Sequence, residues 1–180
     1  MKRILLVGVT ALMAGMQFAA AEGIEGVEEV QDWTVYRAVS GEPECGVISR
    51  PRESVNTKNG KVAVVKRGAV LLAVTIDPTQ PKPNYLVSYQ SGYPFKAGSA
   101  VTMRVDSRSF TLQIGKTKDD DEWAWPPSDD HVIVDAMKKG NRAVLTATSR
   151  KDTDTKDTFS LLGITKALQI AEGLCSAPSS

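Results

Sequence analysis

Polar and apolar residues alternate along much of the chain in short runs, broken by glycine, proline or asparagine. That is the period of strands rather than of long helices. Trp33-Thr34-Val35-Tyr36 predicts a first strand, and Gly41-Glu42-Pro43 breaks it. Cys45–Ser49 predicts a second, stopped by Pro51. Asn59-Gly60 predicts a hairpin turn, because both residues tolerate positive φ. Two β-branched runs, 61–66 and 69–76, flank Arg67-Gly68. Residues 78–83 are rich in proline and cannot join a central ladder. Strands are predicted again over 85–89, Val101–Val105 and 110–114; in the last, Phe110, Leu112 and Ile114 share a face.

The pattern changes after Pro127. Ser128 precedes Asp129-Asp130, a cap followed by carboxylates where a helix dipole favours them. Val132, Ile133, Ala136 and Met137 carry helical spacing, and Lys138-Lys139-Gly140 closes the helix. Residues 142–149 and 158–161 predict strands, with a polar turn over 150–157. Residues 165–174 predict a last helix with Ala167, Leu168 and Ala171 on one side. Strands that do not alternate with helices argue against a parallel doubly wound sheet. The expected fold is mainly β: an antiparallel β-sandwich with two short helices near the C-terminus.

The first residues follow a different logic. Met1-Lys2-Arg3, an apolar stretch over 4–14 and small residues at Ala19-Ala20-Ala21 form a tripartite export signal, with cleavage expected before Glu22. A membrane anchor would need about 20 apolar residues, and Gly15 and Gln17 interrupt this stretch. The expected organisation is a signal peptide over 1–21, a flexible lead-in over 22–31, one domain over 32–176 and a disordered tail over 177–180. The protein is then periplasmic or envelope-associated, with secretion or the outer surface as further destinations.

Composition adds exclusions. With 180 residues, 42% apolar and 24% charged, the chain suits one folded domain. A net charge of +1 argues against binding to nucleic acid or to anionic membrane through a basic surplus. Cys45 and Cys175 are the two cysteines, and in an oxidising compartment an even pair reads as one disulfide. A redox pair lacks its Cys-x-x-Cys spacing.

Candidate chemistry is sparse. His131 is the single histidine and sits in a predicted first helical turn, which suits a solvated residue. A hydrolase would have to use it with Asp129 or Asp130, and no Gly-x-Ser-x-Gly elbow or glycine-rich phosphate loop accompanies it. Asp119-Asp120-Asp121-Glu122 lacks the spacing of a calcium loop and reads as a solvated turn. No catalytic residue, metal ligand or cofactor is therefore predicted. Aromatic residues cluster with proline in two places, Tyr93-Pro94-Phe95 and Trp123-Ala124-Trp125-Pro126. Tyr93, Phe95, Trp123 and Trp125 are the candidate binding residues, with a core role as the competing reading. Trp125, which directly precedes Pro126 and the helix start, is expected in the core, and Trp123 at the surface.

Several segments, taken in order, resemble the invasion-associated locus B family of exported bacterial proteins. They are Asp32-Trp33-Thr34-Val35, Cys45, Arg67-Gly68, Gly92-Tyr93-Pro94-Phe95, Trp123-Ala124-Trp125-Pro126 and Ala136-Met137-Lys138-Lys139-Gly140. The strongest is Thr155-Lys156-Asp157-Thr158-Phe159-Ser160-Leu161, followed by Gly163 and Cys175. The resemblance implies a periplasmic or envelope-associated, mainly β protein; it does not imply an enzyme and supplies no catalytic residue to carry over. The expected function is a non-enzymatic envelope protein that binds another macromolecule. A host-invasion role enters only through the family name. Glycan or small-ligand binding through an aromatic patch is the alternative, and a hydrolase a weaker one. Within the motif, Asp157 is expected to accept backbone N–H groups in a turn before the strand, and Lys156 to pair with it or face water. Phe159 and Leu161 are expected on one strand face, opposite Thr158 and Ser160. The partner and the oligomeric state stay open.

Overall fold

The structure is a computed structural model and describes residues 24–39, 44–77, 84–117, 122–128 and 130–176. The expected signal peptide, the tail over 177–180, the connector over 78–83, the acidic residues Asp119 to Asp121 and Asp129 lie outside the described residues. The strands are β1 (Ile24–Val30), β2 (Trp33–Ala38), β3 (Cys45–Ser49), β4 (Glu53–Lys58), β5 (Lys61–Val62), β6 (Leu71–Asp77), β7 (Asn84–Gln90), β8 (Val101–Val105), β9 (Arg108–Lys116), β10 (Glu122–Trp125), β11 (Arg142–Thr148) and β12 (Asp154–Ser160). The helices are α1 (Asp130–Lys139) and α2 (Ile164–Cys175).

Alternation does what the pattern predicts. In β8, Val101, Met103 and Val105 are buried while Thr102 and Arg104 face solvent. Asn59 and Gly60, at φ 50° and 73°, turn β4 into β5. The described strands pair antiparallel in the order β1-β2-β3-β6-β7-β10-β9-β8-β11-β12-β4-β5. The ladder turns a corner within β9: Arg108 to Leu112 pair with β8, and Gln113 to Lys116 pair with β10. The two halves face each other across one core. Tyr89 of β7 stands edge-on to Phe159 of β12, ring centres 6.3 Å apart, although these strands are not neighbours in the ladder. The fold is mainly β, as the alternation predicts.

α2 lies against β2 and β3, burying Ile164, Ala167, Leu168 and Ala171. Cys175 at its end is joined to Cys45 of β3, with Cα atoms 5.9 Å apart. α1 packs on β7. Among the described residues no helix is long and apolar enough to cross a membrane.

Five local expectations are corrected, and one unpredicted strand, β4, is added. Residues 24–30 are not a flexible lead-in but β1, paired with β2 from Ile24↔Ala38 to Val30↔Trp33. As an edge strand it buries only Val30, so it carries no burial pattern to read. Glu53–Lys58 forms β4 despite its polar Ser54, Asn56 and Thr57. The run 61–66 keeps only Lys61–Val62 as strand; the rest departs as an arm that crosses to β6. β12 starts at Asp154, inside the expected turn. In α1 the buried stripe is Ile133, Val134, Ala136 and Met137, and Val132 is exposed. Only α2 is near the C-terminus, because β11 and β12 follow α1.

Candidate functional site

Strand alternation aims Thr155, Asp157 and Phe159 of β12 into the space between the two halves. The β4 residues level with the first two are Asn56 and Ser54. A carboxylate in that position is costly unless its charge is met and its oxygens receive hydrogen bonds. The arm meets it. Arg67 donates from Nη1 to Oδ1 of Asp157 at 2.8 Å and from Nη2 to Oδ2 at 2.6 Å, a bidentate pair. Ser54 donates to Oδ1 at 2.6 Å and Tyr89 to Oδ2 at 2.5 Å. Asp157 is fully buried, and the Arg67 side chain is 8% exposed. The remaining guanidinium donors reach the Ser91 carbonyl, at 2.9 and 2.7 Å, and Asn56. Among the described residues every buried side-chain nitrogen and oxygen has a partner.

The electrostatics follow from this packing. Burial works against the Arg67 charge, but the hydrogen bonds and charge of Asp157 outweigh it, so its pKa is raised. Burial, then the neighbouring Asp157, pushes the Tyr89 phenol up as well, which keeps it a neutral donor.

The segment Gly92–Phe95 crosses above this network as a strap. The Gly68 N–H donates to the Gly92 carbonyl at 2.8 Å, and the Arg150 N–H to the Pro94 carbonyl at 2.9 Å. Phe95 forms a β-bridge with Ser149, and Glu122 accepts the Phe95 N–H at 2.6 Å. Gly92 has φ 72°, and a Cβ there would lie 2.6 Å from the Gly68 carbonyl, so the close approach requires glycine. Between arm, strap and the β11–β12 turn is a cleft of about 450 Å³, lined by Lys66, Tyr93, Pro94, Arg150, Lys151 and Thr155 among others. The Tyr93 ring lies 5.0 Å from the Arg67 guanidinium, and its hydroxyl is 2.6 Å from Thr155 Oγ1. Burial is the main cause of its raised pKa. Lys66, Arg150 and Lys151 are exposed and make no ion pair among the described residues. Asp152 in the same turn is already held by Lys96 at 2.7 Å.

The structure distributes the candidate residues unevenly. Tyr93 lines the cleft. Phe95 is a core ring, 5.6 Å from Tyr93 and 6.4 Å from Tyr89. Trp123 and Trp125 are both half-buried on the outward side of β10, with buried Ala124 between them. The Trp125 ring lies over Gly115. Neither tryptophan is among the residues that line the cleft. His131 is exposed, edge-on to Tyr85 at 5.2 Å, and Asp130 accepts the Val87 N–H at 2.6 Å.

Of the family motif, Lys156 is exposed, Phe159 and Leu161 are buried, Thr158 is half-buried, and Ser160 accepts the Leu162 N–H at 3.2 Å. Asp157 is the correction. It is not in a turn accepting backbone N–H groups; it is in mid-strand and bound by side chains. The polarity of 150–157 imitates a turn, and the donors that make burial tolerable are 90 and 68 positions away. Sequence reasoning missed Ser54, Asn56, Arg67 and Tyr89 as a unit, and Lys66, Arg150 and Lys151 as a rim. One signal was present: an aspartate alternating in step with Phe159 on an apolar face requires a cation.

The family described as "Invasion associated locus B (IalB) protein" matches residues 44–172, a span that holds the arm, the strap and Asp157. The crystal structure of invasion associated protein b from Bartonella henselae is similar in fold, with a TM-score of 0.57 and 14% identity, covering 83% of this chain and 98% of that one. No curated protein matches the sequence. With the family match spanning well over half its length, the chain belongs to the invasion associated locus B (IalB) family.

Proposed function

We propose that the protein is a non-enzymatic, exported protein of the cell envelope that works by binding another macromolecule, and that it binds through the cleft beside Tyr93. The observation that carries this reading is the contrast between floor and rim. The floor is locked by the Arg67–Asp157 pair and the hydrogen bonds around it. The rim presents Lys66, Arg150 and Lys151 without ion-pair partners among the described residues. A preorganised floor lowers the entropy lost on association, and a tyrosine at the centre of a cleft is a common anchor. The test is cross-linking capture from the native envelope with the wild-type protein and Tyr93→Ala, alongside urea unfolding of both. The expected result is at least a tenfold loss of the captured partner. Unchanged capture by a folded Tyr93→Ala protein would end this assignment.

Glycan or small-ligand binding has one observation in its favour: Trp123 and Trp125 share the outward side of β10, neither fully buried. A glycan array separates the two readings. Binding lost in Trp123→Ala and kept in Tyr93→Ala would support the tryptophan face.

A further inference from the structure

We infer that the occupant of the cleft is an acidic, extended polypeptide segment of another protein, seated along the cationic rim and the open edge beside β5. This deepens the binding reading above and rests on it. Three observations converge. First, the rim is one-signed: Lys66, Arg150 and Lys151 are exposed, and no carboxylate is among the residues that line the cleft. An incoming acid is attracted without displacing an internal partner. Second, the chain that enters the cleft at Val65 and Lys66 comes directly from β5, the last strand of the ladder. Its outer backbone edge is unpaired among the described residues, as strand addition requires. Third, β5 and the arm that follows it carry exposed apolar side chains: Val62 of β5 is 81% exposed and Val64 of the arm fully so, between Lys61 and Lys66.

The combination selects the ligand class. A phosphate or a lipid headgroup would use the cations but has no use for an open backbone edge or exposed valines. A peptide of alternating acidic and apolar residues uses all three, because its side chains alternate while its backbone extends the ladder. The opposite end of the sheet has the reverse character: β1 exposes Glu25, Glu28 and Glu29. A second copy of this chain is therefore the competing occupant, and the test must separate it.

The experiment uses the mature protein with its disulfide intact. The probe is a fluorescein-labelled 12-residue peptide of alternating Val and Glu, with a Val/Lys peptide as control, read by anisotropy at low salt and at 0.5 M salt. The Glu peptide is expected to bind at least tenfold tighter than the Lys peptide and to weaken with salt. Binding should fall at least tenfold in Arg150→Glu/Lys151→Glu and several-fold in Val62→Ser/Val64→Ser. All four positions are solvent-facing, and unfolding midpoints confirm that the variants fold. Equal binding of the two peptides, or no effect of charge reversal in folded variants, overturns the inference. So does equal competition by inorganic phosphate or by anionic phospholipid vesicles, which would indicate a general anion site. Sedimentation showing self-association that charge reversal abolishes would assign the edge to a second copy and overturn it too. Envelope capture that depends on Tyr93 but not on Arg150 and Lys151 would remove this inference and leave the binding reading standing.

Discussion

Asp157 is shut off from bulk solvent, so its charge survives folding only because Arg67, Ser54 and Tyr89 replace the lost hydration. Such a pair contributes little net stability compared with an apolar replacement, but breaking it leaves a buried charge unmet. Asp157→Asn removes the charge that Arg67 needs while keeping the shape. We expect it to destabilise the protein by about 3–5 kcal/mol in urea unfolding. The double variant Arg67→Met/Asp157→Leu should lose less than the sum of its two single changes, since neither charge remains to be stranded. A shift within about 0.5 kcal/mol for Asp157→Asn, the range of surface substitutions, would mean that water reaches the pair. At this scale the sequence was half legible: Asp157 stands out within its motif, whereas nothing near it in the chain names Arg67 as its counterion.

α2 shows how one residue positions an element. Gly163 at its N-terminus has φ 92°, and a Cβ there would come within 2.5 Å of the Val30 carbonyl. The helix can thus start directly against the β1–β2 turn, with its apolar stripe on β2 and β3. Gly163→Ala should cost about 1–3 kcal/mol, the cost of a side chain at positive φ, before the clash is counted. Gly173 is different: it lies inside the same helix, and a Cβ there would meet nothing within 4 Å. Gly173→Ala should stabilise the protein by up to about 1 kcal/mol through helix propensity. Urea unfolding of the two variants, disulfide intact, checks both signs; similar effects in the same direction would contradict the argument. The stripe of Ala167, Leu168 and Ala171 was readable from sequence. The β1 strand was not, because an edge strand held mainly by backbone hydrogen bonds leaves little trace in side-chain patterning.

Across the whole molecule, the four tyrosines share one electrostatic condition. Tyr36, Tyr85, Tyr89 and Tyr93 all have raised pKa values, with burial the largest cause in each. Glu44 adds to it at Tyr36, Glu172 at Tyr85 and Asp157 at Tyr89. The sign follows from linkage. A group whose folded pKa lies above its unfolded value stabilises the fold fully below the unfolded pKa, here about 10. That contribution is lost as pH rises beyond it, because the unfolded chain releases the proton first. The native protein should therefore show little phenolate absorbance at 295 nm near pH 10, and stability should fall above that pH. Phenolate should then appear together with cooperative unfolding, whereas the chain unfolded in guanidinium should titrate near pH 10. Half of the phenolate signal at pH 10 with an intact near-UV circular dichroism spectrum would contradict this.

What the amino-acid order determined by itself is what depends on near neighbours. The alternation in Val101–Val105, the Asn59-Gly60 turn and the helical stripe of Ala167, Leu168 and Ala171 each follow from a few adjacent residues, so they are legible without the fold. The two cysteines were also enough to propose a disulfide, since an oxidised pair admits one pairing. Tertiary structure decided the rest. It made Asp157 a strand residue instead of a turn residue, because a polar run can extend a ladder when donors from β4, β7 and the arm meet its buried carboxylate. It separated Tyr93 from Trp123 and Trp125, placing one in a cleft and the others on an outer face. It also gathered Lys66, Arg150 and Lys151 around one opening, although the near-neutral total charge had given no sign of a basic surface. The reason is physical: burial of an apolar face is a property of one strand, whereas the neutralisation of a buried charge and the clustering of surface charge belong to segments that only folding brings together.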